Sequence, residues 1–249
     1  MERTLIGKEL LDLPGSATRE EIRGNLRDIA FANRWFGGTS VVLRHLRKML
    51  GDADTVTVLD LATGLGDIPM AIVRWARRRG IAVKITAVDN NPTVVELARE
   101  HARAFPEITI EQRSILDLPY EDASFDFVTS SQTIHHLSNQ EVEQVLRSAN
   151  RLAAKGIIIS DLRRRPFCRY LAGTASMLMA NRLTRHDGRL SFKNAFTPEE
   201  IEELADKAGL SNYRVHLHGP CRLSLVVKTL HHGGTEDTEK GFLGVIPSP

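Results

Sequence analysis

The 249-residue sequence predicts an α/β fold on a mostly parallel sheet. Two observations predict it. From residue 55 to residue 161, β-branched runs alternate with segments of helical period about a dozen residues long. Near the end, two strand-like runs separated by Gly219-Pro220 close the sheet with an antiparallel pair.

The elements follow in order. Thr55–Ala62 (TVTVLDLA) is the first strand, and Asp67–Arg79 carries Ile68, Ala71, Ile72 and Trp75 at helical spacing. Val83–Asp89 is a second strand, Pro92–Ala104 a second helix and Ile108–Arg113 a third strand. Phe125–Ser130 and Gly156–Asp161 flank a helix over Gln140–Leu152. Gly80 and Gly209 sit where helix ends favour a left-handed residue. Thr197-Pro198-Glu199-Glu200 combines a cap, a first-turn proline and a capping-box glutamate, opening a helix to Ala208. The closing strands are Tyr213–His218 and Leu223–Leu230.

Three segments stand outside this alternation. Residues 1–50 read as an N-terminal helical cap, with helices over Arg19–Phe31 and Ser40–Leu50, before a main domain at 51–230. Residues 163–195 interrupt the pattern with a helix and a polar loop, an insertion that forms a lid on one sheet face. Residues 231–249 are polar and aperiodic and are expected to be disordered.

Composition narrows the class. With 42% hydrophobic and 26% charged residues the chain is globular, and no stretch approaches the roughly 18 apolar residues of a membrane span. Charges near the N-terminus interrupt any signal-peptide core, so a cytoplasmic location without membrane insertion is expected. Cys168 and Cys221 are too few for a framework or a metal cluster and are read as reduced thiols. The nine histidines make no ligand-spaced cluster with Asp or Glu, so no metal is expected. A net charge of +2, and basic clusters at Arg74–Arg79 and Arg163–Arg165 without interleaved aromatics, exclude a nucleic-acid partner.

Asp60-Leu61-Ala62-Thr63-Gly64-Leu65-Gly66-Asp67 joins the first strand to its helix, a turn where glycines let the backbone approach a ligand. Asp89 ends the next strand, where a carboxylate can accept both hydroxyls of a ribose. The third glycine of a dinucleotide loop is missing. Asp67, in the first helical turn, would repel a pyrophosphate. Adenosine with a zwitterionic tail suits this loop better than NAD. The plain alternatives are an α/β turn without ligand and a strand-end Asp that caps the Pro92 helix.

VLDLATGLGDIP, TAVDNNP, LPYEDASFDFVTSSQTIHHL and GIIISDL, in that order, resemble the successive motifs of class I S-adenosylmethionine (SAM)-dependent methyltransferases. They are most similar to the small-molecule group with ubiquinone/menaquinone-type and polyketide-tailoring members, and the resemblance spans residues 10–230. It implies a Rossmann-like seven-stranded sheet ordered 3-2-1-4-5-7-6 with strand 7 antiparallel. It implies SAM as cofactor, with Asp60, Ala62, Gly64 and Gly66 at its methionine and ribose end. Asp89 would hold the ribose hydroxyls, Asn90, Ser114 and Ile115 would flank the adenine, and the Ser130 carbonyl would meet the methionine amine. Ala62 stands where the family has its first glycine, and Ser114 where it usually has a carboxylate.

Methyl transfer to a hydroxyl needs alignment and removal of a proton. His135 and His136 follow the fourth strand and Asp161 ends the fifth. By resemblance to small-molecule O-methyltransferases, His135 is the base and Asp161 its support; a structural role for the histidines is the alternative. His186, with Asp187, and Tyr170 are candidate substrate contacts in the insertion, where Asp187-Gly188 also suits a plain turn. Phe167, Met177 and Met179 suggest an apolar lid. Trp35 and Phe36 could close the pocket, and Arg34 could pair with the methionine carboxylate. The acceptor expected is a hydroxyl of a small aromatic or polyketide-like molecule, with C-methylation of a quinone precursor or NAD(P)-dependent redox chemistry as alternatives. The oligomeric state is not legible.

Overall fold

A computed structural model describes residues 5–7, 9–13, 15–170 and 181–229. Seven strands form one sheet: β1 (Thr55–Leu61), β2 (Ala82–Asp89), β3 (Ile108–Gln112), β4 (Phe125–Ser131), β5 (Ala153–Leu162), β6 (Tyr213–His218) and β7 (Arg222–Lys228). Their order is β3-β2-β1-β4-β5-β7-β6, as the resemblance implies. β1 pairs parallel with β2, Thr55 opposite Ala82 through Leu61 opposite Val88, and with β4 on its other side. β7 runs antiparallel to both β5 and β6.

The period-two pattern of β1 divides its side chains between two cores. Leu59 and Leu61 point to one face, packed with Val142, Val145 and Leu146 of α5 (Asn139–Leu152) and Ile201 and Leu204 of α7 (Pro198–Lys207). Val56 and Val58 point to the other, against α2 (Gly38–Leu50), α3 (Asp67–Arg77) and α4 (Pro92–His101) through Leu46, Ile72 and Val95. All are buried. α5 and α7 begin in reciprocal capping boxes, Ser138 with Glu141 and Thr197 with Glu200.

The first fifty residues divide their work. α2 lies on the sheet as part of the core, whereas α1 (Arg19–Trp35) sits over the ends of the strands. There Ile22 and Leu26 pack with Leu65, Val94, Leu97 and Leu183. Leu183 belongs to α6 (Arg182–Asn194).

Two expectations are corrected here. Asp187-Gly188 is not a turn in a polar loop but lies within α6. A glycine in a helix interior costs about 1 kcal/mol. Asp187, Ser191 and Asn194 offset that cost, because one face of α6 buries these side chains and hydrogen-bonds them to the N-terminal segment. Cys168 and Cys221 are not separate thiols: they form a disulfide with their Cα atoms 5.5 Å apart. The segment after β5 folds against the β6–β7 turn, a proximity that the sequence separation hides. The expected disordered tail, and Met177 and Met179, lie outside the described residues. No helix among the described residues is long and apolar enough to cross a membrane.

Candidate functional site

β1 and β4 are neighbours although β2 and β3 lie to the other side of β1, so the connections leave in opposite directions and open a crevice at the strand ends. A cavity of about 720 Å³ occupies that crevice, within the size range of small-molecule sites. Asp60, Ala62, Gly64, Asp89, Asn90, Ser114 and Ile115 all line it. Gly66 and Ser130 do not. Gly66 is the left-handed residue before α3, and the Ser130 hydroxyl donates to the Leu61 carbonyl at 3.2 Å beneath the wall formed by Ser131, Gln132 and Thr133.

Asp89 ties the two nucleotide-side loops together. Its carboxylate accepts from the backbone N–H of Gly64 at 3.1 Å and from that of Asn91 at 3.1 Å. The helix cap expected of it as an alternative is provided by Asn91, whose side chain accepts from Thr93 and Val94. Burial pushes the Asp89 carboxyl up to about 6. Burial likewise pushes Asp60 up to about 7, against the hydrogen bond it accepts from the Thr129 hydroxyl at 2.7 Å. Asp67 also lines the cavity from the first turn of α3, its pKa raised by burial. Three carboxyl groups on one wall favour a cationic ligand with hydroxyls and disfavour a pyrophosphate.

Ala62 explains what the usual glycine does. Its φ is +52°, in the left-handed region that costs an L-residue about 1–2 kcal/mol. The neighbouring Thr63 N–H donates to the Val88 carbonyl at 2.9 Å, which fixes the loop in that conformation.

Other parts of the cavity wall come from segments distant in sequence. Leu5, Leu11, Asp12 and Leu13 of the N-terminal segment line it. Asp187 holds this segment by accepting from the backbone of Leu10 at 2.8 Å and of Leu11 at 3.3 Å. Asn194 accepts from Ile6 N–H and donates to the Gly7 carbonyl, each at 3.0 Å. Asn33 on α1 also lines the cavity and donates to Asp67 at 3.1 Å while accepting from Gln132 at 2.6 Å.

His135 and Asp161 meet, with Nδ1 and Oδ1 2.6 Å apart and both residues buried. On the other side of the ring, His135 Nε2 lies 3.6 Å from Glu9. Burial opposes charge on this imidazole, but Asp161 and Glu9 outweigh it and hold the pKa up at about 10. Asp161 is held below the usual carboxylate range, the charge of His135 prevailing over burial. Glu9 and Asp12 likewise raise the His136 pKa, against its burial and the neighbouring His135. His136 is the histidine that lines the cavity, its Nδ1 2.7 Å from Asp12.

The proposed substrate contacts lie elsewhere. His186 is on the outer face of α6, its side chain half exposed and 2.8 Å from Asp187, because the helix turns Asp187 inward. Tyr170 is 74% exposed; neither lines the cavity. Arg34, Trp35 and Phe36 are exposed at the end of α1, with the Arg34 guanidinium 5.8 Å from the Trp35 ring. Sequence reading missed Glu9 and Asp12 as site residues, and it took Asp187 as a partner of His186 where the structure has it holding Leu10 and Leu11. It also foresaw no metal-binding group, whereas ligand atoms of Glu9, His135 and His136 lie within 4.8 Å of one another.

Residues 58–156 match the family described as "Methyltransferase domain". The chain is 28% identical over 155 residues to the ubiquinone/menaquinone biosynthesis C-methyltransferase UbiE of Geobacter sp. (strain M21), covering 59% of this chain and 62% of that protein. It is 33% identical over 108 residues to the 2-phytyl-1,4-naphtoquinone methyltransferase of Trichormus variabilis, covering 40% of this chain and 46% of that one. The chain thus spans less than two thirds of the length of these curated relatives. Among solved structures, the plantazolicin methyltransferase BpumL in complex with SAH superposes with a TM-score of 0.65 at 12% identity, covering 89% of this chain and 93% of that one. Human N-acetylserotonin methyltransferase in complex with SAM superposes with a TM-score of 0.63 at 16% identity, covering 85% and 56%. These structural likenesses establish a common fold.

Proposed function

We propose that this chain, which carries a class I SAM-dependent methyltransferase domain, transfers a methyl group to a small aromatic acceptor that bears a hydroxyl. The observation that carries the reading is Asp89, buried at the end of β2, joined to the Gly64 backbone and facing a cavity large enough for cofactor and acceptor together. When bound, SAM supplies an electrophilic methyl on a sulfonium. The rest falls to the protein. Asp89 accepts the ribose hydroxyls, and Asp60 lies where a positive charge offsets its burial. Ser114 and Ile115 border the adenine position.

Leu11, Leu13, Ile29 and Leu137 give the acceptor an apolar wall and exclude water. The acceptor's proton leaves toward the polar wall of His136 and Asp12, which His135, Asp161 and Glu9 hold in place. Alignment of the hydroxyl with the methyl supplies much of the acceleration, as in any in-line displacement.

A second reading, transfer to a ring carbon of a quinone precursor, is favoured by the relatives named for quinone methylation. The same polar wall serves it, since ring carbon attack also requires loss of a proton. Incubation with SAM and a panel of phenols and hydroquinones, followed by mass spectrometry and NMR of the products, tests both. A methylated oxygen supports the first and a methylated carbon the second. Binding of NAD with no binding of SAM would overturn both.

A further inference from the structure

We propose that Glu9, His135 and His136 form a binding site for a first-row divalent transition cation at the wall of the cavity. Three observations carry it.

The first is convergence. His135 Nε2 lies 3.6 Å from one Glu9 oxygen and His136 Nε2 3.8 Å from the other. These separations are too long for hydrogen bonds, which fall at about 2.7–3.2 Å. They are close to the spacing of about 3.4 Å between neighbouring donors on a tetrahedral ion with bonds of about 2.1 Å.

The second is orientation. Each imidazole has its Nδ1 against a further carboxylate, His135 on Asp161 at 2.6 Å and His136 on Asp12 at 2.7 Å. That arrangement presents both Nε2 atoms to the same point. It is the support that metal-ligating histidines require, because the outer carboxylate fixes the ring and makes the inner nitrogen a better donor. The third is charge. Glu9 and Asp161 are buried beside the two imidazoles, with Asp12 at the exposed rim, and a divalent cation that displaces protons from the imidazoles keeps these carboxylates neutralised.

Two imidazoles and one carboxylate select zinc, iron, cobalt or manganese over calcium or magnesium. Since His136 and Asp12 line the cavity, the ion sits where an acceptor oxygen would lie. Only this last use rests on the methyl-transfer reading; the binding site does not.

Equilibrium dialysis of the full chain against Zn²⁺, with the visible spectrum of the Co²⁺-loaded protein, tests the site. The expected result is one ion per chain. Affinity falls at least about 100-fold in Glu9→Gln and in His136→Gln, and about 10–100-fold in Asp161→Asn. His45→Gln leaves it unchanged, which separates this site from the three-histidine cluster of His45, His216 and His218. Melting curves and titration with S-adenosylhomocysteine (SAH) establish that each variant is folded. A wild-type protein that holds Zn²⁺ no better than Glu9→Gln overturns the proposal, as does a loss caused by His45→Gln. SAH binding without metal binding sinks this inference alone. Metal binding without SAH binding sinks the cofactor reading and leaves the metal site standing.

Discussion

The carboxylate of Asp187 accepts the backbone N–H of Leu10 at 2.8 Å, and through this bond α6 holds the N-terminal segment at the cavity wall. Asp187 is 3% exposed and also accepts from Leu11, so its removal strands two backbone donors at once. Losing such buried bonds costs about 1–3 kcal/mol. Asp187→Ala should therefore speed hydrogen exchange at Leu10 and Leu11 by about 10–100-fold while SAH affinity stays close to wild type. Unchanged exchange at these amides would show that the segment is held by something else.

Ala62 is held at a φ of +52° by the loop that follows β1. Glycine adopts this conformation without the steric cost, so Ala62→Gly should stabilise the protein by about 1 kcal/mol, less the backbone entropy glycine returns to the unfolded chain. Denaturant midpoints with an unchanged slope measure it. A destabilised variant would mean that the alanine methyl makes packing contacts worth more than the strain.

The strands and the loop residues Asp60, Ala62, Gly64 and Asp89 were legible in the sequence because they are local: each strand has its period, and each loop follows its strand. The strand order, which is not local, came from the family resemblance. What was not legible came from contacts between distant segments. Asp187-Gly188 carries strong turn chemistry, yet its buried bonds to Leu10 and Leu11 keep it helical. Glu9 and Asp12 lie in a short segment without periodicity, and only the fold brings them to His135 and His136. The pairing of His135 with Asp161 followed from adjacent strand ends and the resemblance, but part of what raises the His135 pKa to about 10 against its burial is Glu9, which only the fold brings there.

His135 and His136 should separate cleanly on mutation. Removing His135 leaves Asp161 charged and buried without its partner, a loss of about 3–5 kcal/mol in stability. Removing His136, whose side chain is 19% exposed, should cost far less stability but about 10²–10⁴ in methyl-transfer rate. Thermal melts and single-turnover rates of His135→Ala and His136→Ala test this. A stable but inactive His135→Ala would return the role of base to His135.

The burial of Asp60 gives cofactor binding a pH dependence. Its carboxyl titrates at about 7 in the folded protein against 3.8 when free. The folded state thus binds the proton more tightly, and this group's contribution to stability is lost as pH rises from about 4 through 7. A cationic ligand favours the ionised carboxylate. The increase in melting temperature given by SAM should therefore grow as pH rises from 5.5 to 8, and more than that given by SAH, which lacks the sulfonium. A shift that is flat, or larger in acid, would contradict the placing of the charge beside Asp60.

Whether the cavity around Asp89 is a SAM site is decided by calorimetric titration with SAH, wild type against Asp89→Ala. The expected result is binding of one SAH per chain and a loss of at least about 100-fold in the variant, from two charge-assisted hydrogen bonds of about 1.5–3 kcal/mol each. NAD should give no heat in either protein. SAH affinity that is absent in the wild type, or the same in Asp89→Ala, would contradict it.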